Sequence, residues 1–319
     1  MSGFLAARTA HAFLVLFLVS LITFGIIGAS PSGPEAMVDP SATPQDRAFM
    51  RRQLGLDQPV HVQYLRWAGG MLRGNLGRSF IDGSPVLELI VDRLPNTLFL
   101  TGSAFLLAVV VAIPAGIFSA MRPYSPFDYA ATGLSFIGIS IPSFWLGIML
   151  IIVFAVNWNV LPPGGMSTIG SGFSVVDRLR HLAMPVLVLG SYYMAELARY
   201  ARSAVIDVKL QDYVRTARAK GLREPVIITH HIVRNALVPI ITIIGLRLPR
   251  FVGGAAITEA IFAWPGMGRL AIEASFRRDF PVVLGITIMF AAVVVISSLL
   301  VDVLYGLVDP RIQQGKQPA

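Results

Sequence analysis

Long apolar runs alternate with short polar stretches along the chain. A membrane-spanning helix takes about 20 mostly apolar residues, because every backbone N–H and C=O must be paired inside hydrocarbon. Six runs meet that test: Ala12 to Ala29, Leu98 to Met121, Ala130 to Val156, Leu182 to Tyr200, Leu237 to Thr258 and Val282 to Leu307. Pro114 is expected to kink the second, Pro142 falls inside the third, and Glu196 makes the fourth the weakest. The pattern predicts an all-α membrane protein with six transmembrane helices. The first run, with Arg8 before it and Gly28-Ala29-Ser30 at its end, also has the outline of a cleaved signal peptide. Its roughly 18 apolar residues are long for the core of such a peptide, which favours a retained anchor helix.

The polar stretches set orientation, since Lys and Arg accumulate in short cytoplasmic loops. Arg199 to Asn235 holds eight basic residues (Arg199, Arg202, Lys209, Arg215, Arg218, Lys220, Arg223, Arg234) and three acidic ones (Asp207, Asp212, Glu224). This stretch is therefore expected inside, and six spans then put both termini in the cytoplasm, in keeping with Arg8, Arg311 and Lys316. Ser30 to Pro95 falls outside and is electrically balanced. It is too long for a plain connector and too rich in Trp, Tyr and Leu for a disordered one, which points to a small extracytoplasmic helical region. Ser41 or Thr43 would cap a helix running through Leu54, His61 to Leu72 forms a second, and Leu87 to Leu94 leads into the second span. The expected organisation is residues 1–95, first span plus extracytoplasmic segment; 96–307, transmembrane domain with an inner segment at 203–236; and 308–319, cytoplasmic tail.

Composition agrees: 55% of residues are apolar and 14% charged, against about 25% charged in soluble domains. With no Cys there is no disulfide framework and no thiolate metal site or nucleophile. The formal charge of +8 suggests nucleic acid or an anionic membrane surface. Because most of the excess sits in one inner stretch, it reads as a topological signal and not as a nucleic-acid site. The five histidines, His11, His61, His181, His230 and His231, lack metal-ligand spacing, so no metal site is expected. There is no Walker-type loop, nucleophile elbow or paired-carboxylate site. Gly266-Met267-Gly268-Arg269-Leu270-Ala271 fits a dinucleotide fingerprint only formally, without a βαβ context. No catalytic residues are assigned, and a conduit across the membrane is the default.

Residues 205–234 are too polar to span and too regularly apolar to be disordered. Gly221 and Pro225 divide them into two short helices, Ser203 to Lys220 and Pro225 to Asn235. Val214 and Ala217 are expected to be buried, with Arg215, Arg218 and Lys220 facing outward. Composition alone leaves open an amphipathic helix resting on anionic lipid headgroups.

Asp212-Tyr213-Val214-Arg215-Thr216-Ala217-Arg218-Ala219-Lys220-Gly221-Leu222, followed by Arg234-Asn235-Ala236-Leu237-Val238-Pro239, resembles the cytoplasmic coupling motif of binding-protein-dependent ABC importer permeases. The wide spacing of Gly221 and Pro239, and Arg215-Thr216-Ala217 in place of Glu-Ala-Ala, resemble the dipeptide, oligopeptide and nickel branch. So do Leu54-Gly55-Leu56-Asp57-Gln58-Pro59, Gly77-Arg78-Ser79-Phe80, Pro265-Gly266-Met267-Gly268, Arg278-Asp279-Phe280-Pro281 and Asp309-Pro310-Arg311. The resemblance implies a type I ABC importer permease fold in the bacterial inner membrane, with this chain as half of a peptide pathway. It implies as partners a second homologous permease, two cytoplasmic ATPase subunits that carry ATP and Mg, and an extracytoplasmic substrate-binding protein, beside membrane lipid and no nucleic acid. The chain itself would be no enzyme and bind no cofactor. Asp212, Tyr213, Arg215, Thr216, Ala217, Arg218, Lys220 and Gly221 would form the ATPase-coupling element, with Pro239 as its anchor.

Ionisable residues inside spans are costly and therefore functional candidates. Arg247 and Arg250 flank Pro249 in the fifth span, where relatives of the branch tend to have Gln or small residues. They are expected to face the pathway and favour an anionic group. A pairing with Glu196 or Glu259 is the competing reading, while Glu259 and Asp302 are expected to cap or pair locally. Trp145, Phe144, Phe262 and Trp264 read as packing or interfacial anchors. A nickel importer is the alternative within the family; an ion-coupled secondary transporter or a membrane assembly factor are the alternatives outside it.

Overall fold

Apolar periodicity turns almost entirely into helix in the computed structural model, which describes residues 2–29, 45, 57–253 and 255–308. Among them there is no strand beyond a single bridge between Arg78 and Pro85. The helix expected between Ser41 and Leu54, most of the Leu54–Pro59 block and Asp309-Pro310-Arg311 lie outside the described residues, apart from Gln45 and residues 57–59. The chain divides into two compact units, residues 1–97 with 265–319 and residues 98–264.

In the first unit, α1 (Ser2–Ala29) lies along α12 (Phe280–Val308), and α2 (Val60–Met71) touches α1. The Ser20 and Tyr64 hydroxyls are 2.8 Å apart, and Phe24 meets the rings of Tyr64 and Trp67. The first turns of α3 (Val86–Met121) and α11 (Met267–Phe276) close a core of Leu76, Val86, Ile90, Met267, Ala274, Val282 and Ile286. Two of the sequence blocks meet here: the buried Asp279 carboxylate accepts from the Ser79 hydroxyl at 2.5 Å and from the Phe80 N–H at 3.0 Å. Removing it strands a buried hydroxyl and a backbone donor. Asp279→Ala is thus expected to cost about 3 kcal/mol, and Asp279→Asn less, read as a lower midpoint in thermal unfolding of the solubilised protein.

The second unit contains the rest of α3, α4 (Pro126–Ser140), α5 (Ser143–Leu150) running on as a π-helical turn (Ile151–Asn157), and α6 (Val175–Lys209). After α7 (Asp212–Ala219), the short α8 (Glu224–Val226) continues through a π turn (Ile227–Val233) into α9 (Arg234–Gly253), and α10 (Ala256–Ile261) follows. The loop before α6 is tied down by Asp177, which accepts from the Thr168 hydroxyl at 2.7 Å and its N–H at 2.8 Å. These bonds, the hydroxyl's first, hold the Asp177 carboxyl below the usual carboxylate range.

Among the described residues, four helices are long and apolar enough to cross a membrane: Ala7–Ala29, Val86–Met121, Glu224–Gly245 and Phe280–Val301. The third expected span is not one helix but a broken pair, α4 and the following segment through Asn157, bent by 101°. The cause is local. Pro142 has no N–H to return to the Gly138 carbonyl, and Ile141 ahead of it is pushed to φ −77°, ψ 123°. Counting the pair as one span gives five. The run Leu182 to Tyr200 lies within α6, which carries Glu196, Arg199 and Arg202 and is not apolar enough to join them.

Candidate functional site

The inner polar stretch folds as a tight hairpin within the second unit. α6 ends at Lys209, and Gln211, at φ −69° and ψ 147°, turns the chain into α7. This break after Leu210 was not marked by any Gly or Pro, and it splits the helix expected from Ser203 to Lys220. Asp212 in the first turn and Arg218 in the last suit the helix dipole, and the Thr216 hydroxyl donates to the Asp212 carbonyl at 2.9 Å. The C-terminal end is a Schellman closure: Gly221 N–H donates to Arg218 O at 2.9 Å and Leu222 N–H to Ala217 O at 3.3 Å. It requires the left-handed backbone that Gly221 adopts, φ +77°. Arg218 then bridges the turn, its Nε 2.8 Å from Glu224 Oε1. The second short helix is not separate; it is the start of the continuous helical path through α8 and the π turn into α9.

One face of α7 is seated and the other is bare. Val214 and Ala217 are buried against Ala120, Ala201, Val205, Ile227, Ile232, Ala236 and Ile240, drawn from α3, α6, the π turn and α9. Asp212, Tyr213, Arg215, Thr216, Arg218, Lys220 and Gly221 are exposed, Arg215 by 78% of its side chain. Pro239 is exposed on α9; its flanking turn contributes Ala236 and Ile240 to the seat instead. Arg247 and Arg250 both fall in α9, three residues apart, with side chains outside the described residues.

Two of the inner basic residues are structural. Arg202 Nε and Nη2 lie 2.7 and 2.8 Å from the two oxygens of Asp128, a bidentate pair. Asp128 also accepts from the Ser119 hydroxyl and, at 2.8 Å, from the Tyr124 N–H. Lys209 Nζ donates to Ala120 O at 3.2 Å and Met121 O at 3.4 Å, at the C-terminal end of α3. A Cβ at Gly116 would stand 2.5 Å from the Ala198 carbonyl oxygen, so α3 and α6 touch backbone to backbone beside this clamp. Along the chain Arg202 and Lys209 read only as loop charges, and nothing singles out Asp128, which lies in the first turn of α4 two positions after Pro126.

α7 is thus a short amphipathic helix closed at a glycine, packed on one face and exposed on the other. The comparisons show the family. The model of the binding-protein-dependent transport system inner membrane component matches residues 112–314, and that of its N-terminal region matches residues 1–101. The chain belongs to this family. The permease is 45% identical to the oligopeptide transport system permease protein AppB of Bacillus subtilis, over 98% of this chain and 100% of that one. It is 38% identical to the dipeptide transport system permease protein DppB of Escherichia coli K12, over 93% and 95% of the two chains. It is also 38% identical to the di/tripeptide permease DppB of Pseudomonas aeruginosa, over 99% and 100%. The crystal structure of an amino acid ABC transporter with histidines shares the fold at TM-score 0.50 and 18% identity, over 70% of the permease and 94% of that chain. The permease is thus a membrane-embedded transport component that works with other ABC transporter subunits. It is not an enzyme, and ATP hydrolysis belongs to separate subunits.

Proposed function

We propose that the permease forms half of the translocation pathway of a peptide importer, with a second homologous permease as the other half. The observation that carries this is its match over nearly its whole length to permeases named for oligopeptides and dipeptides. In this reading six segments span the inner membrane: the four apolar helices, the broken pair and α6. The charges of α6 fall where it contacts protein or leaves the bilayer, and both termini lie in the cytoplasm with the α6–α8 hairpin. Two ATPase subunits carrying ATP and Mg dock on such hairpins, and an extracytoplasmic binding protein delivers the peptide. The exposed face of α7 meets an ATPase, while Gly221 and the seat of Val214 and Ala217 pass its movement to the spans. The chain itself holds no cofactor.

The test is uptake into proteoliposomes holding the assembled importer and its binding protein. Labelled di- and oligopeptides are expected to accumulate with ATP, and unlabelled peptide, not Ni²⁺, to compete. Accumulation of Ni²⁺ without peptide uptake overturns the reading.

Arg247 and Arg250 are assigned to the pathway as contacts for an anionic group, the peptide carboxylate or an acidic side chain, on the strength of their place in an apolar helix. Arg247→Gln is expected to lower uptake of acidic peptides about tenfold relative to neutral ones. An unchanged ratio removes Arg247 from the pathway.

A further inference from the structure

A second site lies in the same unit, at the break between α4 and α5. There a cavity of about 380 Å³ opens, within the range of small-molecule sites. Ile139, Ile141, Pro142 and Val188 give it apolar walls, and Tyr192 adds a half-exposed aromatic ring. Glu196, the charged residue of the lining, already makes an interaction of its own, so the cavity makes no demand for a charged ligand. Two neutral groups stand out instead. The Gly138 carbonyl has lost its helical partner, because Pro142 four residues on has no N–H. Thr258, near the start of α10 and only 2% exposed, lines the same space, and its hydroxyl bonds to none of the described residues. Leaving a buried polar group without a partner costs about 1–3 kcal/mol, so such groups in a folded protein point to something that satisfies them. The carbonyl accepts and the hydroxyl donates. A neutral ligand that answers both offers an N–H and a C=O, the pair that a peptide bond carries.

We infer that this cavity is a subsite for a main-chain amide of the peptide, its N–H donated to the Gly138 carbonyl and its C=O accepting from the Thr258 hydroxyl. The inference rests on the reading of the chain as a peptide permease and deepens it. Contacts to the main chain are the same for every sequence, and the apolar walls leave the side chain unread. Non-helical backbone at membrane depth is tolerated where it is buried in protein or lines a polar cavity, and broken helices in transporters present such carbonyls at the substrate site. Tyr192 lies on α6, which runs on through Arg202 and Lys209 to the hairpin, so a peptide held here touches the helix that leads to α7.

Thermal unfolding of the assembled importer without its binding protein reads the site without transport. N-acetyl-L-alanine methylamide, a neutral mimic of the peptide main chain, is expected to raise the midpoint. Methyl O-acetyl-L-lactate, which has the same shape but esters in place of both amides and no N–H, is not. In Thr258→Val, which keeps the shape of the side chain and removes its hydroxyl, the response to the methylamide should need about tenfold more ligand, as for loss of one buried hydrogen bond. Thr258→Ser, which keeps the hydroxyl, should restore most of it. No shift from the methylamide, equal shifts from the methylamide and the diester in the wild type, or the same response in Thr258→Val as in the wild type, overturns the subsite. If Thr258→Val fails to assemble, the wild-type comparison of the two ligands still decides. A wild-type importer that binds the methylamide selectively yet accumulates no labelled peptide when its binding protein and ATP are supplied overturns the peptide reading alone.

Discussion

Gly221→Trp is expected to abolish ATP-driven uptake, with a loss of more than tenfold, while the amount of permease in the membrane stays unchanged. The Schellman closure at the end of α7 needs the left-handed backbone that Gly221 holds at φ +77°. Any Cβ there costs about 1 kcal/mol. That cost alone does not unfold a helix seated through Val214 and Ala217. Among the described residues, and apart from its chain neighbours, a Cβ at Gly221 meets no atom within 4 Å, so a large side chain would project into open space. In the assembled importer that space lies beside the proposed ATPase surface, and the indole would hold the two apart. Gly221→Asn, whose side chain tolerates this backbone, should retain most activity, and Gly221→Ala should fall between the two. Uptake and substrate-stimulated ATP hydrolysis, normalised to permease in the membrane fraction, check the series. Wild-type rates in the tryptophan variant would remove the lever role from α7.

Asp128→Ala is expected to destabilise the permease by about 3–5 kcal/mol, because it leaves the partly buried Arg202 without its bidentate acceptor. Asp128 is almost fully buried and gathers Arg202, Ser119 and the Tyr124 N–H on one carboxylate, so no other group takes over its bonds. The structural consequence is loss of the brace that sets α6 against α3 and α4 just ahead of the hairpin. Replacing both charges by apolar residues of similar size, Asp128→Leu with Arg202→Met, removes the unpaired charge and should recover part of the stability, the Ser119 hydroxyl and Tyr124 N–H still lacking their acceptor. Thermal unfolding of the solubilised protein measures both. A single variant within about 0.5 kcal/mol of the wild type would show that the pair contributes nothing beyond a surface ion pair.

The hairpin around α7 was legible at the level of its residues. Gly221 announced a helix end and a turn, Pro225 the start of the next helix, and the spacing of Val214 and Ala217 the buried face; each depends on the conformational freedom or hydrophobicity of one side chain. The preceding break at Gln211 carried no such signal, since its extended backbone comes from how α6 and α7 pack. The bend at Pro142 was visible as a proline in an apolar run. Its 101° size and the cavity beside it were not, because a proline sets which hydrogen bond is lost and the surrounding helices set how far the chain turns.

Charge divided the same way. The basic excess between Arg199 and Asn235 and the length of the apolar runs follow from composition along the chain, and they were enough to indicate a membrane protein and a polar stretch between two of its spans. Whether a given charge faces a partner or holds the fold together depends on groups far away in sequence. Arg202 meets Asp128 across 74 positions and Lys209 meets Ala120 across 89. Glu196 appeared along the chain as a flaw in a hydrophobic segment, and only the meeting of α6 with the broken end of α4 places it in the lining of a cavity. The sequence by itself determined which segments are apolar enough to enter a membrane and where the backbone must turn, because those are properties of single residues and their neighbours. The tertiary structure alone decided which polar groups are spent inside the protein and which remain for a partner or substrate, because a charge is neutralised by what lies within a few ångströms in space.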